Sequence, residues 1–133
     1  MALPNGTSGY QNNAGNVGEP LLFVQGAPTA IAAAATATPA QLANGLFTFD
    51  GTAGNLTLPT VTDLEAYVSS AAKPNVAFDF FVINIDASGS DAVTVAIGTG
   101  WTLVGAGAVA AASSGHFRAR KTGDGAWTCY RVS

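Results

Sequence analysis

Cys129, His116 and an acid such as Asp79 or Asp124 are the residue types of a nucleophilic triad, in which a base takes the thiol proton and a carboxylate orients the base. The chain has one cysteine and one histidine, and nothing in their spacing draws them together. Cys129 lies between Trp127 and Arg131 in a β-rich run, where a lone cysteine is ordinarily a small core residue. His116 beside Phe117 reads as a histidine satisfied at a sheet edge. No catalytic residue is therefore expected, and the chain reads as no enzyme. A single cysteine excludes an intrachain disulfide, and no Cys/His cluster has zinc-ligand spacing, so neither a metal nor a cofactor is expected.

Two further motifs have chemical counterparts. Gly105-Ala106-Gly107-Ala108-Val109-Ala110 fits the dinucleotide pattern G-x-G-x-x-A after the strand-like Thr102-Leu103-Val104, with Asp124 at about the expected offset. That fingerprint needs a βαβ unit, whereas the residues after it read as a hairpin with its own Asp-Gly turn, so an ordinary glycine-rich loop is expected. Asp86-Ala87-Ser88-Gly89-Ser90 has the D-x-S-x-S order of metal-dependent adhesion sites. Those sites complete their Mg²⁺ shell from later loops of a much longer doubly wound fold. A turn in which Asp and Ser bond their own backbone is the expected reading.

The charge most in need of a partner is Asp79, inside the apolar run Phe78-Asp79-Phe80, because a carboxylate in a buried strand is costly unless paired. Arg118, Arg120 and Arg131 are the available cations, and an Asp79–Arg131 structural pair is the expectation carried forward. Arg118-Ala119-Arg120-Lys121 is the one basic cluster, with both arginines on one face of a strand, and serves either to protect an edge or to dock a partner.

The elements that position these groups are mostly strands. Leu21–Gln25 and Thr29–Thr36 are expected as strands. Thr38-Pro39-Ala40-Gln41 opens a short helix with proline at its first position, ended by Gly45. Leu46–Phe49 and Asn55–Leu58 flank a glycine-containing loop and predict a hairpin. Thr62 with Glu65 has the form of a capping box, and Leu64, Tyr67, Val68, Ala71 and Ala72 recur at helical spacing, so a helix over 62–72 is expected to plug an open end of the fold. From Val76 the period becomes two. Phe78, Phe80, Val82 and Asn84 alternate with Asp79, Phe81, Ile83 and Ile85, which predicts a central strand covered on both faces, by a second sheet and by either the helix or a neighbouring subunit. Val93–Ile97 and Trp101–Val104 are further strands, with Gly98 and Gly100 marking a bend. A closing hairpin runs over 115–121 and 126–132.

The first twenty residues are different. Their large apolar side chains are Met1, Leu3, Tyr10 and Val17, scattered among Asn and Gly, so this stretch has no core of its own and needs another surface to order it. The expected organisation is an extended N-terminal arm over 1–20 and a single β-rich domain over 21–133, a length that can bury a core without cross-links. Composition agrees: 48% of the 133 residues are hydrophobic and 10% charged, against about 25% charged in an ordinary soluble domain. Sparse charge and abundant small residues suit an exterior covered by neighbours. A net charge of −3 and a pI near 4.7 give no basis for phosphate neutralisation, so nucleic acid is not an expected partner. No charged and apolar leader opens the chain, and no segment reads as membrane-spanning.

Phe81-Val82-Ile83-Asn84, Val93-Thr94-Val95-Ala96, Gly100-Trp101-Thr102, Phe117-Arg118-Ala119-Arg120 and Ala126-Trp127-Thr128-Cys129-Tyr130-Arg131 carry a resemblance over about residues 76–132. In this pattern the chain resembles the small β-rich decoration, or cement, proteins of tailed-bacteriophage capsids. The resemblance implies a jelly-roll-like sandwich or barrel, a homotrimer, and a place on the outside of the virion after assembly in the host cytoplasm. The implied partners are the major capsid protein and sister copies. Leu3, Tyr10, Val17, Arg118 and Arg120 are the candidate contacts. A second reading is a fibre-associated or carbohydrate-binding β-sandwich module, in which Trp101, Trp127 or Tyr130 would stack on a sugar.

Overall fold

Gly51 and Gly54 set the topology, because neither has room for a side chain. A Cβ on Gly51 would lie 1.9 Å from the Ala32 carbonyl oxygen, and one on Gly54 would lie 2.8 Å from the Ala34 amide nitrogen. Neither adopts the positive φ of a tight hairpin turn. The loop between the expected hairpin strands is thus a corner pressed against another corner of the same chain. In this computed structural model, which describes residues 20, 22–69 and 73–133, the two flanking strands belong to different sheets.

In chain order the elements are β1 (Thr29–Ile31), β2 (Ala35–Thr36), α1 (Pro39–Asn44), β3 (Leu46–Phe49), β4 (Gly54–Thr57), α2 (Val61–Tyr67), β5 (Ala77–Asn84), β6 (Val93–Ala96), β7 (Trp101–Val104), β8 (Ala108–Val109), β9 (Ser113–Gly123) and β10 (Ala126–Arg131). One sheet has the order β1-β3-β5-β9-β10-β7 and the other β2-β4-β6-β8. Pairing is parallel along β1-β3-β5 and along β2-β4-β6. The first two thirds of the chain therefore wind as stacked coils: a strand in one sheet, a corner, a strand in the other sheet, then a helical return. Each corner must lie flat on the next, which is why glycine faces Ala32 and Ala34. The fold is mainly β with two sheets, as expected, but its pairing does not follow the antiparallel pattern of a jelly roll.

Both helices are return segments of these coils, not a plug at one end. Helix α1 forms where the sequence indicates: Thr38 Oγ1 accepts from the Gln41 amide at 3.2 Å while the Gln41 side chain accepts from the Thr38 amide at 3.0 Å, and Gly45 ends it at φ 76°. Helix α2 begins two residues earlier than the Thr62–Glu65 pair suggests. Thr60 is its cap, accepting from the Asp63 amide at 3.2 Å. Starting there buries Val61 as well as Leu64 and frees Glu65 to bond the indole of Trp127 at 3.1 Å. Tyr67, expected on the apolar face, is exposed. The expected helical positions Ala71 and Ala72, and the arm residues Leu3, Tyr10 and Val17, lie outside the described residues.

Alternation fills the space between the sheets. Phe47, Phe49, Phe80, Val82, Phe117, Ala119, Trp127 and Cys129 point inward from the larger sheet and meet Leu56, Val93, Val95 and Val109 of the smaller one, with Leu42, Val61 and Leu64 of the helices joining the same cluster. Phe80 stacks on Phe117 at 5.2 Å between ring centroids and meets the Phe47 ring edge-on at 6.5 Å. The closing hairpin β9–β10 forms as expected around left-handed Gly125, with a register shift at Ala126/Trp127.

Two strand expectations are corrected. Residues 22–28 form no strand, and Leu22, Phe23 and Val24 are exposed. A strand there would need a partner at the β1 edge, and the chain supplies none among the described residues. The stretch Thr29–Thr36 is two short strands, because the chain turns at residues 32–34 to change sheets.

Candidate interaction face

Strand β5 is covered on one side only. Phe80, Val82 and Asn84 are buried, but Phe81, Ile83 and Ile85 on the opposite alternation are 43, 36 and 52% exposed. Neither helix covers them, so the helical cover that the sequence allows for this face is absent among the described residues. Antiparallel β9 sets Ser114, His116, Arg118 and Arg120 beside Ile83, Phe81, Asp79 and Ala77. Strand β10 adds Tyr130 beside Arg118 and Thr128 beside Arg120, and β7 adds Val104 and Thr102 in the same rows.

The charges on this face are largely settled within it. Asp79 accepts from Arg118 at 2.6 and 2.9 Å, and its Oδ2 lies 2.9 Å from His116 Nε2. The His116 ring in turn stacks on Phe81 at 4.5 Å, nearly parallel. Chiefly through the Arg118 hydrogen bonds, and against partial burial, the Asp79 carboxyl is held down to about 2. Its partner is thus Arg118, and not the expected Arg131. Arg131 lies over the inward-facing Phe117 ring at 5.0 Å and donates to the carbonyls of Ala106 and Ala108. Arg120 donates to Tyr130 Oη at 3.3 Å and to Asn75 Oδ1 at 2.5 Å, and meets no carboxylate among the described residues. Arg118 and Arg120 do share one face, as their spacing indicates.

A carboxyl depressed on folding contributes stability that is complete above its unfolded value near 4 and is lost as the pH falls towards about 2. Asp79→Asn is expected to lower stability by about 1 kcal/mol at pH 7, the pair being half open to water. Thermal melts of the two proteins should differ at pH 7 and converge near pH 2. A gap that persists unchanged at pH 2 would show that the Asp79 charge contributes nothing.

The other candidates resolve structurally. Cys129 faces the core and His116 the outer surface, on opposite sides of one sheet, and burial pushes the Cys129 thiol up to about 12. No thiolate is available there at neutral pH, and Asp124 pairs with Lys121 at 3.3 Å. The Asp86 carboxylate accepts from the Ser88 amide and hydroxyl and from the Asp91 amide, which lowers its pKa and makes a turn of the expected kind. Residues 105–110 run from β7 through a turn into β8 with no helix, so no βαβ unit surrounds the glycines. Trp101 and Trp127 are buried 5.9 Å apart, their indole N–H groups satisfied by the Pro59 carbonyl and by Glu65. Neither can stack on a sugar. Among the described residues no cluster of three or more potential metal ligands occurs, and no helix is long and apolar enough to cross a membrane.

Sequence reasoning left this face to either the helix or a neighbouring subunit and did not decide between them. The usable signal was on β9: His116, Arg118 and Arg120 share one alternation, which marks the side of the sheet that is not core. No family model matches the chain, and no curated protein or solved structure matches it significantly.

Proposed function

We propose that the protein is a structural subunit of a virion that decorates the outer surface of a tailed-bacteriophage capsid as a homotrimer, its N-terminal arm contacting neighbouring subunits. The observation that carries this reading is the apolar row Phe81, Ile83 and Ile85, left open to water on a face whose charges are mostly paired already. An apolar row of this kind favours burial, and burying Asp79 already paired with Arg118 costs less than burying a lone carboxylate. The resemblance over residues 76–132 supplies the capsid as the setting. The role asks of the chain only shape and adhesion; binding repeated by lattice symmetry lets modest contacts sum to firm attachment. The partners are the major capsid protein and sister copies.

Rebinding tests this directly. Purified protein added to cognate capsids stripped of accessory proteins should bind saturably at symmetry-related positions and raise the temperature at which the shells break. Shells that take up no protein at saturating concentration would refute the capsid role.

A further inference from the structure

The two ends of the outer face of the six-stranded sheet carry unpaired charges of opposite sign. Ion pairs among the described residues join Asp79 to Arg118 and His116, and Lys121 to Glu65 and Asp124. Among those same residues Arg120 and Lys73 meet no carboxylate, and Asp50 and Asp91 meet no cation. The register places all four. Arg120 stands beside Ala77, where β5 begins, and bonds Asn75, two residues from the exposed Lys73. At the other end of β5, Phe49 pairs with Asn84, so the exposed Asp50 follows beside the open Ile85. The corner continuing from Ile85 holds Asp86 and Asp91, and neither it nor the corner after Asp50 contains a Lys or Arg.

The eight residues of β5 set these ends about 25 Å apart, whereas screening in physiological salt acts over about 8 Å. The two ends therefore do not neutralise each other within one molecule, and do so only when two molecules meet. We infer that copies of this chain join end to end, with the acidic corner of one, Asp50 and Asp91 beside Ile85, seated at Arg120 and Lys73 of the next. The inference rests on the subunit character proposed above and names the surface that joins the copies. A second copy is the occupant because each molecule carries a charged end and its complement on the same face. It also brings the 52% exposed Ile85 to a face already apolar at Phe81. A copy turned to set acid against acid meets like charges, which fixes the direction of the contact. The contact is head-to-tail, one end offered and the other accepting, and such contacts close into rings when the rotation allows, which suits a cyclic trimer.

Charge reversal followed by sedimentation velocity reads this contact. Asp50→Arg, at an exposed position, should leave the melting temperature unchanged and weaken self-association by about tenfold or more. Arg120→Glu should weaken association alike, and the two substitutions in one chain should restore it. Because Arg120 also bonds Asn75 and Tyr130, the exposed Lys73→Glu serves as a second reversal, alone and combined with Asp50→Arg. Loss with rescue at either cation is the expected result, together with weaker association of the wild-type protein as NaCl rises from about 50 to about 500 mM. Unchanged association in Asp50→Arg, or no rescue at either cation, overturns the inference. The two proposals fail separately: oligomers that obey the charge reversals but ignore capsids refute the capsid role alone, while capsid binding by a chain that stays monomeric in solution refutes this contact alone.

Discussion

Gly51→Ala is expected to destabilise the protein by about 3 kcal/mol, the upper range for forcing atoms into filled space, and Gly51→Val by more. The added carbon would sit 1.9 Å from the Ala32 carbonyl oxygen, with the Ala32 carbonyl carbon at 2.6 Å behind it. These are backbone atoms, so no side chain can swing aside, and the first coil must lift off the second. Gly123→Ala is the control: a Cβ there has nothing within 4 Å and the backbone is not in a positive-φ conformation, so a neutral effect is expected. Chemical denaturation of the three proteins decides the matter. A Gly51→Ala protein as stable as the Gly123→Ala control would mean that the two corners do not stack and that the parallel winding is wrong.

The adjacent phenylalanines of β5 should behave in opposite ways. Phe80 is fully buried, stacked on Phe117 and edge-on to Phe47, and Phe80→Ala is expected to cost about 4 kcal/mol in transfer and cavity terms. Phe81 is 43% exposed on the outer face, and Phe81→Ala should cost the isolated chain less than about 1 kcal/mol while weakening association between copies. Urea titration of dilute protein separates the two. Equal losses at both positions would mean that the outer face is packed like the inner one.

What the sequence makes legible here depends on how local the cause is. The helix 39–44 is read from Thr38, Pro39, Gln41 and Gly45 because capping and left-handed termination are settled within a few residues. The hairpin 113–131 is read from Asp124-Gly125 for the same reason, and the inward set Phe80, Val82, Asn84 from simple alternation. The parallel coils are not local. Glycines at 51 and 54 serve equally in a hairpin turn and in a stacked corner, and the choice rests on contacts with residues 32–34, which no short-range pattern records. Thr60 and Thr62 each stand three residues before an acid, and only the demand of Trp127 for Glu65, across 62 residues, separates them. The partner of Asp79 is equally non-local: of the three arginines on β9 and β10, the face excludes Arg131, and the register that sets Asp79 beside Arg118 selects it over Arg120. For the interaction face, the two halves of the signal are the apolar alternation of β5 and the cationic alternation of β9, and they become one surface only once the register sets Phe81 beside His116 and Asp79 beside Arg118.

The central claim is that this sheet face is built to be covered by another copy. Sedimentation velocity on the wild-type protein, from low to high micromolar concentration, tests it with no substitution at all. A concentration-dependent species approaching three times the 13.3 kDa chain mass is the predicted result. A single 13.3 kDa species at every concentration would contradict it.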